Sequence, residues 1–497
     1  MKTLTADDLE AASAHLLVRS EHDLLGERDV PAEVYYGVHT ARAVDNFPIS
    51  GMPIATHRDL IVALACCKQA AALANRDLDL LAADKTDAIL AACEDIRAGM
   101  LHDQFIVDVV QGGAGTSTNM NANEVIANRA LEHLGHDKGR YDVLHPLEDV
   151  NRSQSTNDVY PTAVKIALHL SADRLRAAMI GLQAAFKAKA VEFADVVKMG
   201  RTQLQDAVPM TLGQEFGAFA VMVGEDIDRL SEATTLITEI NLGGTAIGTG
   251  VNAHPQYAEV VCRHLASITG IPLKTAADLV EANQDAGVFV QLSGVLKRIA
   301  VKLSKICNDL RLLSSGPQAG LGEIRLPAVQ AGSSIMPGKV NPVIPEVVNQ
   351  IAFAVVGNDM TVTMAAEGGQ LQLNAFEPII AHSLFTSISY LRAGCQVLAE
   401  RCVPGITAER DHLRQTVARS IGMLTVLSPY IGYAQATSLA QEALASGKGV
   451  YELVLAQDLL TRAELDALLG DPEQLTRPRR PIAVAADSGQ RDTFVDR

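Results

Sequence analysis

The strongest constraint on the fold is a set of apolar stripes at helical spacing that run far beyond an ordinary globular helix. One stripe starts near Pro161 and continues in steps of three and four residues, the period of an α-helix, as far as Phe193. Further helical segments run over about 209–240, 282–314, 343–366 and 373–400. A helix of about 30 residues is about 45 Å long and must bury such a stripe on other helices, in its own chain or in other subunits. The sequence therefore predicts a bundle of long helices.

Composition favours an all-α fold. The chain has 497 residues, of which 48% are hydrophobic and only 4% aromatic, and it contains no tryptophan. Such a composition suits packed helices better than β-sandwiches. At this length several domains or one elongated domain are expected. We predict an N-terminal mostly helical domain over 1–155, a central long-helix bundle over 156–405 and a small helical C-terminal domain over 406–497. Its tail, from about Asp471, lacks apolar periodicity and is expected to be disordered.

Prolines and glycines predict local boundaries. Residues 19–40 contain several chain breakers and are expected to form loops with short strands, after a weakly helical extension over residues 1–18. Pro209 is expected at the first position of the second long helix. Gly447 is expected to cap the C-terminus of a helix near 434–445, and this favours an ordinary helix end over the prosthetic group that Ala-Ser-Gly forms in some ammonia-lyases.

Charge and cysteine content exclude several classes of function. The formal net charge is −16, which disfavours binding to nucleic acid. The seven cysteines form no C-x-x-C pair and lie mostly in apolar helical runs, as buried thiols of a reducing compartment do. No signal-peptide pattern occurs at the N-terminus, and no apolar run is long enough for a membrane span. We expect a cytoplasmic protein with neither a membrane nor a nucleic-acid partner.

One stretch concentrates groups that bind or transfer protons: Gly332-Ser333-Ser334-Ile335-Met336-Pro337-Gly338-Lys339-Val340-Asn341-Pro342. It contains too many chain breakers for a helix or a central strand. An apolar periodic run follows Pro342, so a helix should begin there with Asn341 near its cap. A helix N-terminus with Lys339 beside it favours an anion. The stretch therefore predicts a mobile loop that ends in an anion site.

Three other segments are similarly rich in hydroxyls and amides. They are residues 111–124, 145–158 and 200–208. The glycines of 111–124 do not make a phosphate-binding loop, because no Gly-Lys-[Ser/Thr] follows them; we favour an anion-binding loop over a simple cluster of helix caps. No His, Cys or carboxylate set has metal-ligand spacing. The four segments together suit a small dianion, and we expect no metal and no cofactor.

The stretch 332–341 resembles the signature G-S-S-x-M-P-x-K-x-N of the fumarase/aspartase superfamily, and residues 111–124 and 145–158 resemble its two other shared regions. The resemblance extends from about Arg19 to about Leu469. It implies a three-domain fold with a five-helix central bundle, a homotetramer with composite active sites, and elimination across a Cα–Cβ bond through an aci-carboxylate intermediate.

The resemblance also implies a role for each site residue. Ser333 would be the general base, with Ser334 beside it in the substrate site. Thr116, Ser155 and Thr156 would bind the carboxylate that becomes the aci form. Lys339 and Asn341 would hold the other carboxylate. Asn157, Thr202 and Gln203 would line the site, with Asn157 and Gln203 near the leaving group. As an alkoxide base, a serine needs its pKa lowered by roughly five units, about 7 kcal/mol.

The leaving group is the remaining question. Fumarases carry His where this chain has Gln203, paired with a glutamate that matches Glu346. A neutral amide cannot relay a proton, and loss of ammonia needs less help than addition of water. The run Tyr35–Thr40 resembles the same block in bacterial aspartases. The expected reaction is therefore reversible deamination of L-aspartate to fumarate, with a class II fumarase as the alternative. A non-catalytic scaffold, like the lens crystallins of this superfamily, would be expected to have lost Ser333 or Lys339.

Overall fold

The computed structural model describes residues 17–478. It is 62% helical, with 17 α-helices, and the strands in this range are short and pair two by two. The predicted all-α class is confirmed. The expectations for residues 1–16 and for the tail beyond residue 478 lie outside the described residues.

The N-terminal region forms one hairpin and four helices. Strands β1 (Val18–Asp23) and β2 (Gly26–Pro31) pair antiparallel, as the chain breakers in this region predict. The helices are α1 (Val38–Asn46), α2 (Arg58–Asp77), α3 (Ala83–Arg97) and α4 (Thr116–His133). Short turns of 3-10 helix lie at Ile54–Thr56 and His102–Gln104, and a π-helical turn lies at Pro146–Val150. Helix α2 packs on α3, and α3 packs on α4.

Long helices dominate the middle of the chain. In chain order the helices are α5 (Thr156–Glu192), α6 (Leu212–Leu236), α7 (Tyr257–Thr269), α8 (Leu279–Ala282), α9 (Gly287–Leu313), α10 (Val343–Glu367) and α11 (Glu377–Arg401). Five of them contain between 25 and 37 residues. The stripe of α5 is buried, with Leu168, Leu175 and Leu182 all 0% exposed. The predicted long helices are confirmed, although α5 begins five residues before Pro161.

The prediction for Pro209 is wrong. Pro209 lies in β4 (Gln205–Thr211), which pairs antiparallel with β3 (Val197–Thr202), and α6 begins only at Leu212. The pairing register shifts between Met199 and Arg201, and Pro209 is opposite Met199 at this irregularity. A two-stranded hairpin has only edge strands, which tolerate proline because they leave backbone positions unpaired.

The C-terminal region consists of short helices. These are α12 (Arg410–Arg419), α13 (Met423–Ile431), α14 (Tyr433–Ser446), α15 (Val450–Ala456), α16 (Arg462–Gly470) and α17 (Pro472–Thr476), after a 3-10 turn at Val403–Gly405. Gly447 caps α14 with a φ of 72°, as predicted. Disorder beginning at Asp471 is wrong for the residues described, because α17 follows and buries Leu475. Two small strand pairs complete the fold: β5 (Glu239–Ile240) with β6 (Lys274–Thr275), and β7 (Ile324–Arg325) with β8 (Thr407–Ala408).

The chain divides into two compact units. Of the described residues, the first comprises those up to 178, together with 226–301 and 350–393, and the second comprises 179–225, 302–349 and those from 394 onward. In the first unit, Asp359 of α10 accepts a hydrogen bond from Ser293 of α9 at 2.8 Å. In the second, the ring of Phe216 on α6 contacts that of Phe186 on α5 and that of Phe193, the residue after α5, with centroids 6.2 and 5.4 Å apart. Aromatic packing therefore joins α5 and α6 in the second unit.

Two expectations from composition concern cysteines and membranes. All seven cysteines are free and buried, which confirms the predicted buried thiols. No helix within residues 17–478 is both long and apolar enough to cross a membrane.

Candidate active site

The loop over residues 332–341 presents the predicted base, Ser333. The Ser333 Oγ accepts hydrogen bonds from the backbone N–H groups of Ile335, at 3.2 Å, and Met336, at 2.9 Å. Ser333 is partly buried, and Ser334 is exposed. Donors directed at an oxygen favour its negatively charged form. The loop therefore favours the alkoxide of Ser333 through its own backbone.

Two hydrogen bonds close the 332–341 loop. The Gly332 N–H donates to the Lys339 carbonyl at 2.9 Å, and the Asn341 Nδ2 donates to the Gly332 carbonyl at 2.7 Å. A Cβ on Gly332 would lie 2.4 Å from the Lys339 carbonyl oxygen, so only glycine allows this approach. The Asn341 amide nitrogen is thus engaged in loop closure, and its Oδ1 remains for other contacts.

Lys339 supplies an exposed cation in this loop. Its ammonium forms no ion pair and no side-chain hydrogen bond within residues 17–478. Helix α10 begins at Val343, one residue after the predicted position, so Lys339 precedes a helix N-terminus. A free ammonium near the positive end of a helix dipole is suited to hold a carboxylate.

Ser155, Thr156 and Asn157 lie together where α5 begins. The Ser155 Oγ accepts a hydrogen bond from the Asn157 N–H at 3.2 Å, and so caps the helix. The Thr156 Oγ1 accepts a hydrogen bond from the Asn119 Nδ2 at 3.1 Å. The Asn157 Nδ2 donates to the Ala246 carbonyl at 2.7 Å. All three residues are partly buried, and each takes part in one of these hydrogen bonds within the chain.

A buried carboxylate anchors this turn. Asp158 is 0% exposed and accepts hydrogen bonds from the N–H groups of Ser155 at 3.0 Å, Gly243 at 3.0 Å and Thr245 at 2.9 Å. Burial raises the pKa of Asp158 to about 6, although the three donors oppose the shift. Asp158 therefore ties the start of α5 to the segment 243–245.

Thr116 lies at the first residue of α4, and this revises the predicted loop over 111–124. Only residues 111–115 are non-helical, and Thr118, Asn119 and Glu124 are buried in the helix. The Thr116 Oγ1 donates to the Gly113 carbonyl at 2.7 Å. Thr116 lines a cleft of about 340 Å³ together with Ser117, His39 and other residues of the N-terminal region. The asparagine side chains within α4 have a structural role, because a helix that is buried on several sides must pair its polar side chains.

Glu124 explains the shape of the run Tyr35–Thr40. Its carboxylate is 1% exposed and accepts hydrogen bonds from the N–H groups of Gly37 and His39 at 2.8 Å and from the Thr40 Oγ1 at 2.6 Å. Burial raises the pKa of Glu124 to about 7. This contact holds the run beside α4 and places His39 at the cleft that Thr116 lines.

Thr202 and Gln203 occupy the tip of the β3–β4 hairpin. Gln203 and Leu204 both have left-handed backbones, with φ of 54° and 63°, as a tight two-residue turn requires. Both conformations are costly for residues other than glycine. Thr202 and Gln203 are exposed, and no hydrogen bond joins their side chains to the 332–341 loop in the described part of the chain. The predicted residues therefore form separate groups. Thr116 and residues 155–157 belong to the first unit, and the hairpin tip and the 332–341 loop belong to the second.

A buried polar network was missed by sequence reasoning; it lies beneath residues 151–155 and the first two residues of α5, together called the 151–157 loop. Lys68 on α2 is 0% exposed and donates to side-chain oxygens of Asn119, Asn151 and Gln154. A sequence signal existed, because Lys68 interrupts the apolar run of α2. A larger cavity of about 500 Å³, lined by His57, Arg174 and Arg392, contains none of the predicted site residues. Within residues 17–478, no cluster of three His, Cys or carboxylate side chains is arranged to hold a metal ion.

Comparisons with known proteins match most of the chain. Residues 26–357 match the Lyase family model, and residues 423–477 match the Fumarase C C-terminus model. The aspartate ammonia-lyase of Pseudomonas aeruginosa is 60% identical over 463 residues, which are 93% of this chain and 97% of that protein. The aspartate ammonia-lyase of Escherichia coli is 53% identical over 90% of this chain and 94% of its own.

Solved structures agree with these relatives. The fumarate lyase:delta crystallin of Brucella melitensis bound to cobalt has 57% identity and a TM-score of 0.90, covering 93% of this chain and 100% of that chain. The class II fumarase of Schistosoma mansoni has 34% identity and a TM-score of 0.87 over the same shares. The resemblance inferred from the three motifs is confirmed. The chain therefore belongs to the aspartate ammonia-lyase family of the fumarase/aspartase superfamily.

Proposed function

We propose that this chain catalyses the reversible deamination of L-aspartate to fumarate and ammonia. The observation that carries the chemistry is the Ser333 Oγ, which accepts two backbone N–H donors within an exposed glycine-containing loop. Aspartate ammonia-lyases with 53–60% identity over nearly the whole chain support the choice of substrate. A positioned base and the similarity to aspartate ammonia-lyases thus both support elimination of ammonia.

The first step is removal of a proton from the carbon next to the β-carboxylate. Ser333, as the alkoxide, takes this proton, and the electron pair moves into the carboxylate to give a doubly charged aci form. Thr116, Ser155 and Thr156 are proposed to bind that group. Hydrogen-bond donors placed where charge develops are the largest single source of rate in such reactions.

The second step is loss of ammonia. The electron pair of the aci-carboxylate returns to form the carbon–carbon double bond, and the carbon–nitrogen bond on the opposite face breaks. Lys339 and Asn341 are proposed to hold the α-carboxylate. Asn157, Thr202, Gln203 and Ser334 are proposed to complete the site around the leaving group. Every step falls to side chains and N–H groups of the chain, without a cofactor.

A direct assay separates this function from hydration of fumarate. Purified protein with L-aspartate should produce fumarate, followed by its absorbance. The same protein with fumarate and no ammonia should form negligible malate by NMR, because Gln203 is neutral and cannot activate water. Malate formation at a rate comparable to deamination would favour a class II fumarase instead. Gln203→His is the matched variant, expected to keep deamination and to gain at most a trace of hydration.

The site is proposed to be completed by association of four chains. On α10, Phe353, Val356, Met360 and Met364 recur at helical spacing and are 41–67% exposed. An exposed apolar stripe of this length on one helix favours burial against another copy. Light scattering of active enzyme should give about four times the chain mass of 52.9 kDa, and an active species at the chain mass itself would contradict the proposal.

Three further predictions remain proposals. The chain is proposed to act in the cytoplasm, as its free, buried cysteines favour. The three-domain division over 1–155, 156–405 and 406–497 also stays a prediction. The proposed substrate is a small molecule, with no nucleic-acid partner, as the net charge of −16 favours.

A further inference from the structure

A fully buried lysine lies beneath the 151–157 loop. The Lys68 Nζ donates hydrogen bonds to three side-chain amide oxygens. These are Asn119 Oδ1 at 2.7 Å, Asn151 Oδ1 at 2.9 Å and Gln154 Oε1 at 2.9 Å. An ammonium has three N–H donors and no acceptor, so this arrangement uses all of its hydrogen-bonding capacity. The loop is therefore held from below by one cation on α2.

The Asn119 amide connects this cation to Thr156. Its Oδ1 accepts from Lys68, and its Nδ2 donates to the Thr156 Oγ1 and to the Asn151 Oδ1, both at 3.1 Å. A cation on the amide oxygen polarises the amide and strengthens the N–H as a donor. Because the Thr156 oxygen accepts this bond, its hydroxyl hydrogen points elsewhere and is available for donation. The chain of bonds thus makes Thr156 a directed and strengthened donor.

We propose that Lys68 is a positioning residue, whose buried ammonium orients and polarises the Thr156 hydroxyl through the Asn119 amide. The inference rests on the proposed function, in which Thr156 binds the carboxylate that becomes the aci form. That group gains negative charge in the transition state. A stronger donor therefore speeds the reaction more than it tightens substrate binding.

The ammonium of Lys68 is buried among neutral amides rather than paired with a carboxylate. No carboxylate forms an ion pair with Lys68 in the part of the chain that the structure describes. Burial lowers the pKa of Lys68 to about 7 and so disfavours the ammonium, whereas the three amide oxygens that accept its hydrogen bonds favour it. Keeping a buried charge without a paired carboxylate costs stability, and such costs are found where function requires them.

The test is Lys68→Met, which keeps the length of the side chain and removes the charge. We expect kcat for aspartate deamination to fall about 10- to 100-fold per folded enzyme, while KM changes less than about threefold. The matched control is Lys165→Met. Lys165 is also buried, at 7% exposure, but among residues 17–478 its Nζ donates to one group alone, the Glu239 carbonyl at 2.8 Å. The control should keep kcat within about threefold of wild type.

A second background separates positioning from simple structural damage. In Thr156→Ala enzyme, Lys68→Met should lower kcat by less than about threefold, because the hydroxyl through which it acts is gone. A structural defect would act equally in both backgrounds. An equal fold-loss with and without Thr156 would overturn the inference.

Asn119→Asp keeps the experiment informative if Lys68→Met does not fold. The carboxylate still accepts a hydrogen bond from Lys68 but no longer donates to Thr156 or to Asn151, so kcat should fall about tenfold or more. Asn128→Asp is the control, because Asn128 is buried on the same helix and donates to the Tyr35 carbonyl and the Tyr141 hydroxyl instead. Wild-type kcat for Asn119→Asp would overturn the inference.

The outcomes distinguish this inference from the proposed function. A wild-type enzyme that does not deaminate aspartate would overturn the function itself. An active wild type that is impaired by Thr156→Ala, together with normal Lys68→Met and Asn119→Asp enzymes, would overturn only the role of Lys68.

Discussion

The 151–157 loop and the 332–341 loop carry most of the proposed site, and they are held in different ways. Residues 151–157 are all partly buried, and their contacts include Lys68 and Asp158, both 0% exposed. Residues 334–340 are all exposed, and the loop is closed by two hydrogen bonds, from the Gly332 N–H and the Asn341 amide. The first loop is fixed by buried neighbours, and the second is shaped by its own backbone.

This difference agrees with the proposed roles, binding of the aci-carboxylate for the 151–157 loop and proton removal for the 332–341 loop. Donors that stabilise the aci-carboxylate must be in place before the charge develops, so a rigid support favours catalysis. A loop that admits a substrate and then closes over it needs few contacts in its open form. Changes in the 332–341 loop should therefore affect activity with little effect on stability, whereas changes under the 151–157 loop should affect both.

The largest effect is expected for Ser333→Ala. Removing the base should lower kcat by at least about a thousandfold without changing the thermal midpoint, because Ser333 has no buried partner to lose. Ser334→Ala is the matched control and should cost much less. If Ser333→Ala keeps more than about a tenth of wild-type kcat, the base is another residue.

A smaller effect is expected for Gly332→Ala. Its Cβ would collide with the Lys339 carbonyl oxygen at 2.4 Å and the Asn341 nitrogen at 2.9 Å, so the closing hydrogen bonds must shift. We expect kcat to fall about 10- to 100-fold, with unchanged stability. At Gly338 no atom lies within 4 Å of the added carbon, although φ is 80°. Gly338→Ala should therefore cost less activity, and the reverse order would contradict the closed-loop geometry.

The smallest effect concerns the pH dependence of stability and probes the 151–157 loop. The folded-state pKa of Asp158 is raised from 3.8 to about 6 by burial. The stability linked to this group is fully present below pH 3.8 and is lost as the pH rises through 6. In the wild type, the free energy of unfolding should therefore fall by about 1 kcal/mol between about pH 5 and pH 7. In Asp158→Asn this fall should be absent.

Urea unfolding at fixed protein concentration measures this dependence. Ser334→Ala, in the exposed loop, is the control and should keep the wild-type slope. An unchanged slope in Asp158→Asn would show that Asp158 is ionised throughout this range, and the loop would then be anchored by a permanent charge.

The sequence by itself determined the long helices and the residues from which the chemistry of the 332–341 loop is proposed. Helical periodicity is a local property, so the stripe ending at Phe193 predicted α5 without any knowledge of its neighbours. The residues of the 332–341 loop are close in sequence, so their convergence also needed no tertiary information. In both cases the residues that carry the signal are neighbours in the sequence, three or four positions apart in the stripe and within one short loop at 332–341.

Only the tertiary structure showed which buried polar residues lie under the proposed site. Lys68, Asn119 and Thr156 are far apart in sequence, and nothing local shows that one amide joins the other two. Pro209 was misplaced for a different reason, because pairing with the preceding strand β3 across a tight turn outweighed its preference for a helix start. Periodicity and capping act within a few residues, whereas burial and hydrogen bonding across α2, α4 and α5 depend on how those helices pack.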